Sequence, residues 1–112
     1  MSTTYLITSD TIGHQDQELG KRLMHNFFMK LLETGEKPTH ILFLERGVHL
    51  LLPEFSAAGA LHILERESEI MLLACATCLD FYQIKEKIVV GQVSSMPEII
   101  EVLGESDKVI HL

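Results

Sequence analysis

Residues 70–78 read Ile70-Met71-Leu72-Leu73-Ala74-Cys75-Ala76-Thr77-Cys78. The unbroken apolar run within Glu69 to Ala74 shows no polar alternation, which predicts a strand covered on both faces, as in parallel sheets. Cys75 and Cys78 follow at its carboxyl end, and Leu79, Tyr82 and Ile84 suggest a short helix after them. Upstream, His40 to Leu44 is almost wholly apolar and predicts a similar strand ending at Glu45-Arg46-Gly47. Tyr5 to Thr8 is rich in β-formers and stops at the turn-forming cluster Ser9-Asp10-Thr11-Ile12-Gly13.

The segments between these strands change period. From about Gln15, Leu19, Leu23, Phe27 and Leu31 recur every four residues, with Met24, Phe28 and Leu32 widening the stripe, so an amphipathic helix is expected to near Gly35. Asp16 and Glu18 suit its start, where the helix dipole favours negative charge. Gly20 weakens a helix by roughly 1 kcal/mol against Ala, which points to a close approach of another backbone. Pro53 fits a second helix start, and Phe55, Ala58, Leu61 and Leu64 give a thinner stripe to about Arg66. Ile88 to Val90 reads as a fourth strand ending at Gly91, and Lys108 to His111 as a fifth. Before the fifth, Ser95 and Glu98 have capping-box spacing, Pro97 fits the first turn, and Ile99, Ile100 and Leu103 mark the buried side of a helix stopping at Gly104.

Five short strands alternating with four helical segments predict an α/β fold, a three-layer α/β/α arrangement with a mainly parallel five-stranded sheet. A single domain over residues 1–112 is expected, since 112 residues make one ordinary domain. Val48 to Leu52 is apolar but not placed by periodicity, and a patch covered by another subunit and a segment of the chain's own core fit equally well.

Hydrophobic residues at 46% and charged residues at 22% are enough for a real core and argue against disorder. Nine Lys and Arg stand against sixteen Asp and Glu, a net charge of -7, which argues against nucleic acid and anionic membrane as partners. No apolar run approaches the roughly 20 residues of a membrane-spanning helix. Two cysteines are too few for a secreted disulfide scaffold of this size, and MSTTYLITSD lacks the basic and apolar regions of a signal peptide, so a cytoplasmic, reduced protein is expected.

Ligands of open α/β sheets bind beyond the carboxyl ends of strands, where Cys75 and Cys78 fall. A thiol opening a helix is expected to have a lowered pKa and to be nucleophilic. Two small buried residues filling space are the plainer alternative. Other readings of C-x-x-C are weaker. A zinc site needs two more ligands, and His14, His25, His40, His49, His62 and His111 show no matching spacing. A thioredoxin-like pair would follow an earlier strand and usually hold a proline, and an iron–sulfur cluster lacks two cysteines. No metal and no cofactor are therefore expected, and no phosphate-binding glycine motif is present. Ser9, Asp10 and Gly13 end the first strand and could line the same crevice, with His14 at its rim as a proton donor or acceptor. Glu65-Arg66-Glu67, and Glu98 with Glu101, read as solvated helix faces.

Cys75-Ala76-Thr77-Cys78-Leu79-Asp80-Phe81-Tyr82 resembles the DsrE/DsrF-like sulfur-relay family, most closely the C-terminal domain of YedF-type proteins, described as sulfurtransferase-like and linked to selenium metabolism. The likeness extends through Ile7-Thr8-Ser9-Asp10 with Gly13, Glu18-Leu19-Gly20, Leu23-Met24, Phe27, Gly47-Val48 with Leu50, Lys85-Glu86-Lys87, Val90-Gly91-Gln92-Val93-Ser94 and Lys108-Val109-Ile110. It implies a parallel α/β/α sheet, homo- or hetero-oligomers, and a cysteine after the third strand that carries sulfur as a persulfide. That carrier matches Cys75, and Cys78 matches the second cysteine of the small members. The resemblance tips Val48 to Leu52 toward a subunit contact in a homo-oligomer. This chain lacks the TusA-like domain and its cysteine motif, so a TusA-like donor or acceptor would be a separate protein. Departures are Ala76 for a usual Gly, Gln83 for another, Ser95 for an Asn, and Glu45-Arg46 where an Asn-containing turn is usual before Gly47. Arg46 would bring a cation to the crevice rim and Glu45 an opposing charge.

The expected function is thus a cytoplasmic sulfur-handling protein, in which Cys75 takes sulfane sulfur from a donor persulfide and passes it to an acceptor. Cys78 could release that sulfur by closing a disulfide. Whether this amounts to an enzyme, a sulfurtransferase, is left open. The rival reading is a non-catalytic assembly subunit that binds a small anion or a partner in the crevice.

Overall fold

Alternation along each strand decides which side of the sheet a residue feeds. In the computed structural model, which describes residues 2–112, the strands are β1 (Thr3–Ile7), β2 (His40–Phe43), β3 (Met71–Cys75), β4 (Gln92–Ser94) and β5 (Lys108–His111). Ile7, Ile41, Phe43, Leu72 and Ala74 feed one hydrophobic cluster. Leu42, Leu73 and Cys75 feed a second on the other face. All pairings are parallel, in the order β4-β3-β2-β1-β5, so the predicted buried sheet is what forms.

The helices are α1 (Gln17–Leu31), α2 (Ala58–Arg66), α3 (Ala76–Phe81) and α4 (Met96–Glu105). The chain steps from β1 to β4 in one direction, and α1, α2 and Leu79 of α3 pack into the first cluster. It then crosses back to β5 with Ile99, Val102 and Leu103 of α4 packed on the second cluster. Connections therefore change faces between β3 and β4. This is the switch point, where open α/β sheets leave a crevice at the strand ends.

Capping follows the sequence closely at two helix starts. The Asp16 side chain accepts the Leu19 N–H at 3.0 Å, and Ser95 Oγ accepts the Glu98 N–H at 3.4 Å. Glu98 does not complete a reciprocal box, because its carboxylate instead accepts the Ser94 hydroxyl.

Several expectations are corrected. In α1 the buried residues are Gly20, Met24, Phe28 and Leu31, while Leu19 and Leu23 are exposed. The close approach expected at Gly20 sets this rotation: a Cβ there would lie 2.7 Å from Thr11 Cβ and 3.1 Å from the Ile12 carbonyl oxygen. The helix must turn that position toward the β1–α1 loop, which rotates its neighbours outward. The second helix starts at Ala58, since Pro53 to Ala57 form successive turns. In α4, Ile100 is exposed beside buried Ile99, one 100° step away around the helix, and the helix continues through Gly104 to Glu105.

The fourth strand is Gln92–Ser94, not Ile88 to Val90. Val90 is buried without pairing: the Val89 N–H goes to the Leu51 carbonyl, and Gly91, at φ +85°, turns the chain into β4. Glu65 is accordingly no free helix face, since its carboxylate accepts the Gly91 N–H at 3.0 Å. Val48 to Leu52 is not a surface patch either. Glu45–Leu51 forms a 3-10 helix whose Val48, Leu50 and Leu51 are buried in the first cluster of the same chain.

Candidate functional site

β3 delivers the two cysteines to the switch point. Cys75 is its last residue and only 1% exposed, on the face covered by α4, in register with Ser94 of β4. Cys78 is half-buried in the first turn of α3 and packs against both clusters, so it sits where the two layers meet at the sheet edge. Both are free thiols.

The Glu45 N–H donates to the Cys78 Sγ at 3.1 Å. Glu45 holds a left-handed backbone, φ +49°, which costs a non-glycine residue roughly 1–2 kcal/mol. Asn tolerates this region better than Glu does. The strained peptide is anchored on both sides. The Leu44 N–H donates to the Ile7 carbonyl at 2.9 Å, and Gly47 packs so closely there that a Cβ would meet the Ile7 oxygen at 2.5 Å.

Arg46 extends to the β1–α1 loop, where Nη2 and Nε lie 3.2 and 3.4 Å from the two Asp10 carboxylate oxygens. Asp10 thereby holds the guanidinium above its usual pKa, first by hydrogen bonding and then by charge. The cation expected at the rim is present but already neutralised. Ser9 stays within the same loop, its hydroxyl accepting the Thr11 N–H at 3.1 Å, and Thr11 Oγ1 donates to the Gly13 carbonyl. Gly13 is exposed with φ +88°.

The predicted site residues are therefore divided. Ser9, Asp10 and Arg46 line a polar cleft of about 290 Å³ with His14 and Glu45, and neither sulfur lines it. Glu45 joins the halves, lining the cleft and giving its N–H to Cys78. Gly13 lies outside this cleft and Gly47 is buried beneath it, against Ile7. Sequence reading missed His49 and Tyr82. Their rings stack edge to face with centroids 4.4 Å apart, and His49 Nδ1 lies 3.1 Å from the Arg46 carbonyl oxygen. Tyr82 falls four residues after Cys78, on the same helical face, which was the available signal.

The lowered thiol pKa expected at the helix start is not found at Cys78. Burial pushes it up, the Glu45 N–H pulls it down, and the neighbouring Cys75 thiol and Glu45 carboxylate push it up again. With six residues, α3 is too short to offset this through a strong dipole. Among the described residues no group of three or more His, Cys, Asp or Glu side chains could hold a metal ion, and no helix is long and apolar enough to cross a membrane.

The family model of DsrE/DsrF-like proteins matches residues 1–112. The chain belongs to the DsrE/DsrF-like family. Membership brings a sulfur-relay context with it. The crystal structure of the YchN protein from E. coli has the same fold, with a TM-score of 0.72 at 15% identity over 100% of both chains. No curated protein sequence matches this one.

Proposed function

We propose that this DsrE/DsrF-like chain is a cytoplasmic carrier of sulfane sulfur, working through Cys75 and Cys78. The observation that carries the reading is the pair of free thiols at the carboxyl end of β3, at the face-switching point of the sheet. A carrier needs an anion-accepting donor beside its sulfur, and the Glu45 N–H supplies one. The family resemblance points to Cys75 as the carrier, whereas burial makes Cys78 the thiol that a docked donor meets first. In loading, the thiolate of Cys78 attacks the outer sulfur of a donor persulfide, and the donor leaves as its own thiolate. In delivery, an acceptor thiolate attacks the outer sulfur and Cys78 leaves as thiolate, steadied by the Glu45 N–H. Cys75 has two roles beside it: taking over the outer sulfur in the drier position, or attacking the inner sulfur. The second closes a disulfide and releases hydrosulfide, and a thiol reductant must then restore the pair.

The donor or acceptor is a protein of TusA-like type, and the carrier acts as a homo-oligomer. The resemblance to YedF-type proteins read from the sequence supports the first part, and the oligomers of the wider family support the second. Anion binding in the cleft by a non-catalytic subunit draws less support, because Asp10 already occupies Arg46. Intact-mass measurement after incubation with a persulfide donor tests the proposal. A gain of one sulfur atom is expected on the native protein, abolished in the Cys75→Ala/Cys78→Ala double variant. No gain on the native protein refutes it.

A further inference from the structure

Glu45 links the Cys78 sulfur to the polar cleft, and that residue is held in a conformation it does not favour. We infer that the Asp10–Arg46 ion pair is a positioning pair for Cys78: it ties the start of the 3-10 helix to the β1–α1 loop and so keeps the Glu45 N–H aimed at the Cys78 sulfur. The inference rests on reading Cys78 as a working thiol.

Three features support it. Arg46 is the residue immediately after the strained Glu45, so fixing its side chain restricts the torsions that would let the peptide turn away. The two-point contact of Nε and Nη2 with both carboxylate oxygens defines an orientation, which a single-point pair would not. Asp10 is less exposed than Arg46, at 20% against 54% of the side chain, so the loop-bound carboxylate is the fixed end. The Leu44 and Gly47 contacts with Ile7, and the Gly47 N–H donated to the Leu44 carbonyl at 2.8 Å, hold the neighbouring backbone, while the Glu45 N–H is given to the sulfur.

A charge effect and a positioning effect make opposite forecasts for a neutral double variant. If the pair acted through its charges, Asp10→Ala would move the Cys78 titration to lower pH, Arg46→Ala to higher pH, and the double variant would titrate near the parent. A positioning pair instead gives an alkaline shift in the double variant, of about one pKa unit if the charge-assisted N–H bond is lost.

The experiment measures the pH dependence of iodoacetamide alkylation at Cys78 in a Cys75→Ala background, where Glu45 is the remaining titratable neighbour identified. Asp10→Ala/Arg46→Ala should shift the midpoint alkaline, and Arg46→Lys, which keeps the charge but not the two-point geometry, should shift it part of the way. Parental midpoints in both variants, each with a parental circular dichroism spectrum, overturn the inference. If the double variant is unfolded, Arg46→Lys decides alone. Alkylation needs no persulfide, so the two readings fail separately: a shifted midpoint without sulfur loading refutes only the carrier, and loading with unshifted midpoints refutes only the positioning pair.

Discussion

Cys75 of β3 and Ser94 of β4 are register partners, both buried, at the strand pair where the connections change faces of the sheet. The Ser94 hydroxyl is engaged by Glu98, so the wall beside Cys75 is closed by α4, and Cys78 stands on the open side. At limiting alkylating reagent, peptide mass mapping should find Cys78 modified first and Cys75 only as urea loosens the fold. The rate at Cys78 should rise with pH through a midpoint above that of an unperturbed cysteine, because burial disfavours the thiolate. Preferential native labelling of Cys75 would reverse this order.

Leu51 is fully buried in the 3-10 helix and packs in the main cluster. Leu51→Ala should lower stability by about 2–5 kcal/mol, read from urea unfolding, through lost burial and a residual cavity. Leu51→Glu should leave the chain unfolded rather than monomeric, since an unpaired carboxylate has no partner in that cluster. A folded Leu51→Glu variant of reduced mass by light scattering would place this segment at a subunit contact instead.

Glycine positions on helices separate propensity from packing. Gly20→Ala gains roughly 1 kcal/mol of helix propensity but places a methyl group 2.7 Å from Thr11 Cβ and 3.1 Å from a backbone oxygen. Overpacking of about 1–3 kcal/mol should outweigh the gain and lower the melting temperature. Gly59→Ala in α2, with no atom within 4 Å, should raise stability by roughly 0.5–1 kcal/mol. A stabilised Gly20→Ala variant would contradict the close approach.

Asp107 accepts the Ser2 N–H at 2.8 Å and the Ser2 hydroxyl at 3.3 Å, tying the start of β5 to that of β1. These bonds hold its carboxyl below the ordinary value of 3.8. Because the folded pKa is the lower one, the unfolded chain takes up the proton first as pH falls. The contribution is therefore present above the unfolded value and is lost as pH falls through the folded one. Urea midpoints of the native protein and Asp107→Asn should differ at pH 7 and converge as pH falls through the lowered folded value. A constant difference across that range would count against the pairing.

Much of the fold was legible because burial on both faces leaves a mark in the sequence. The runs at His40 to Leu44 and Met71 to Ala74 have no polar alternation, and a parallel sheet with helices on each side buries both faces of such strands. The cysteines at the end of β3, the Asp16 and Ser95 caps and the tight approach at Gly20 were equally local, each a matter of residue type and spacing. Burial without pairing was not legible. Val90 and Leu51 are as apolar as strand residues, and whether such a segment joins a ladder or packs as a turn depends on which carbonyls lie opposite its N–H groups.

The residues of the site were determined by the sequence, and their relationships were not. Asp10, Arg46 and Cys78 could each be singled out by chemistry, yet they lie on three different connections. Only tertiary packing joins Asp10 to Arg46, sets Glu45 in a left-handed turn and brings its N–H to the Cys78 sulfur. The same packing reversed the expected direction of the Cys78 pKa. A thiol's ionisation is set by the water it loses and the dipoles it meets, and both come from chain segments distant in sequence.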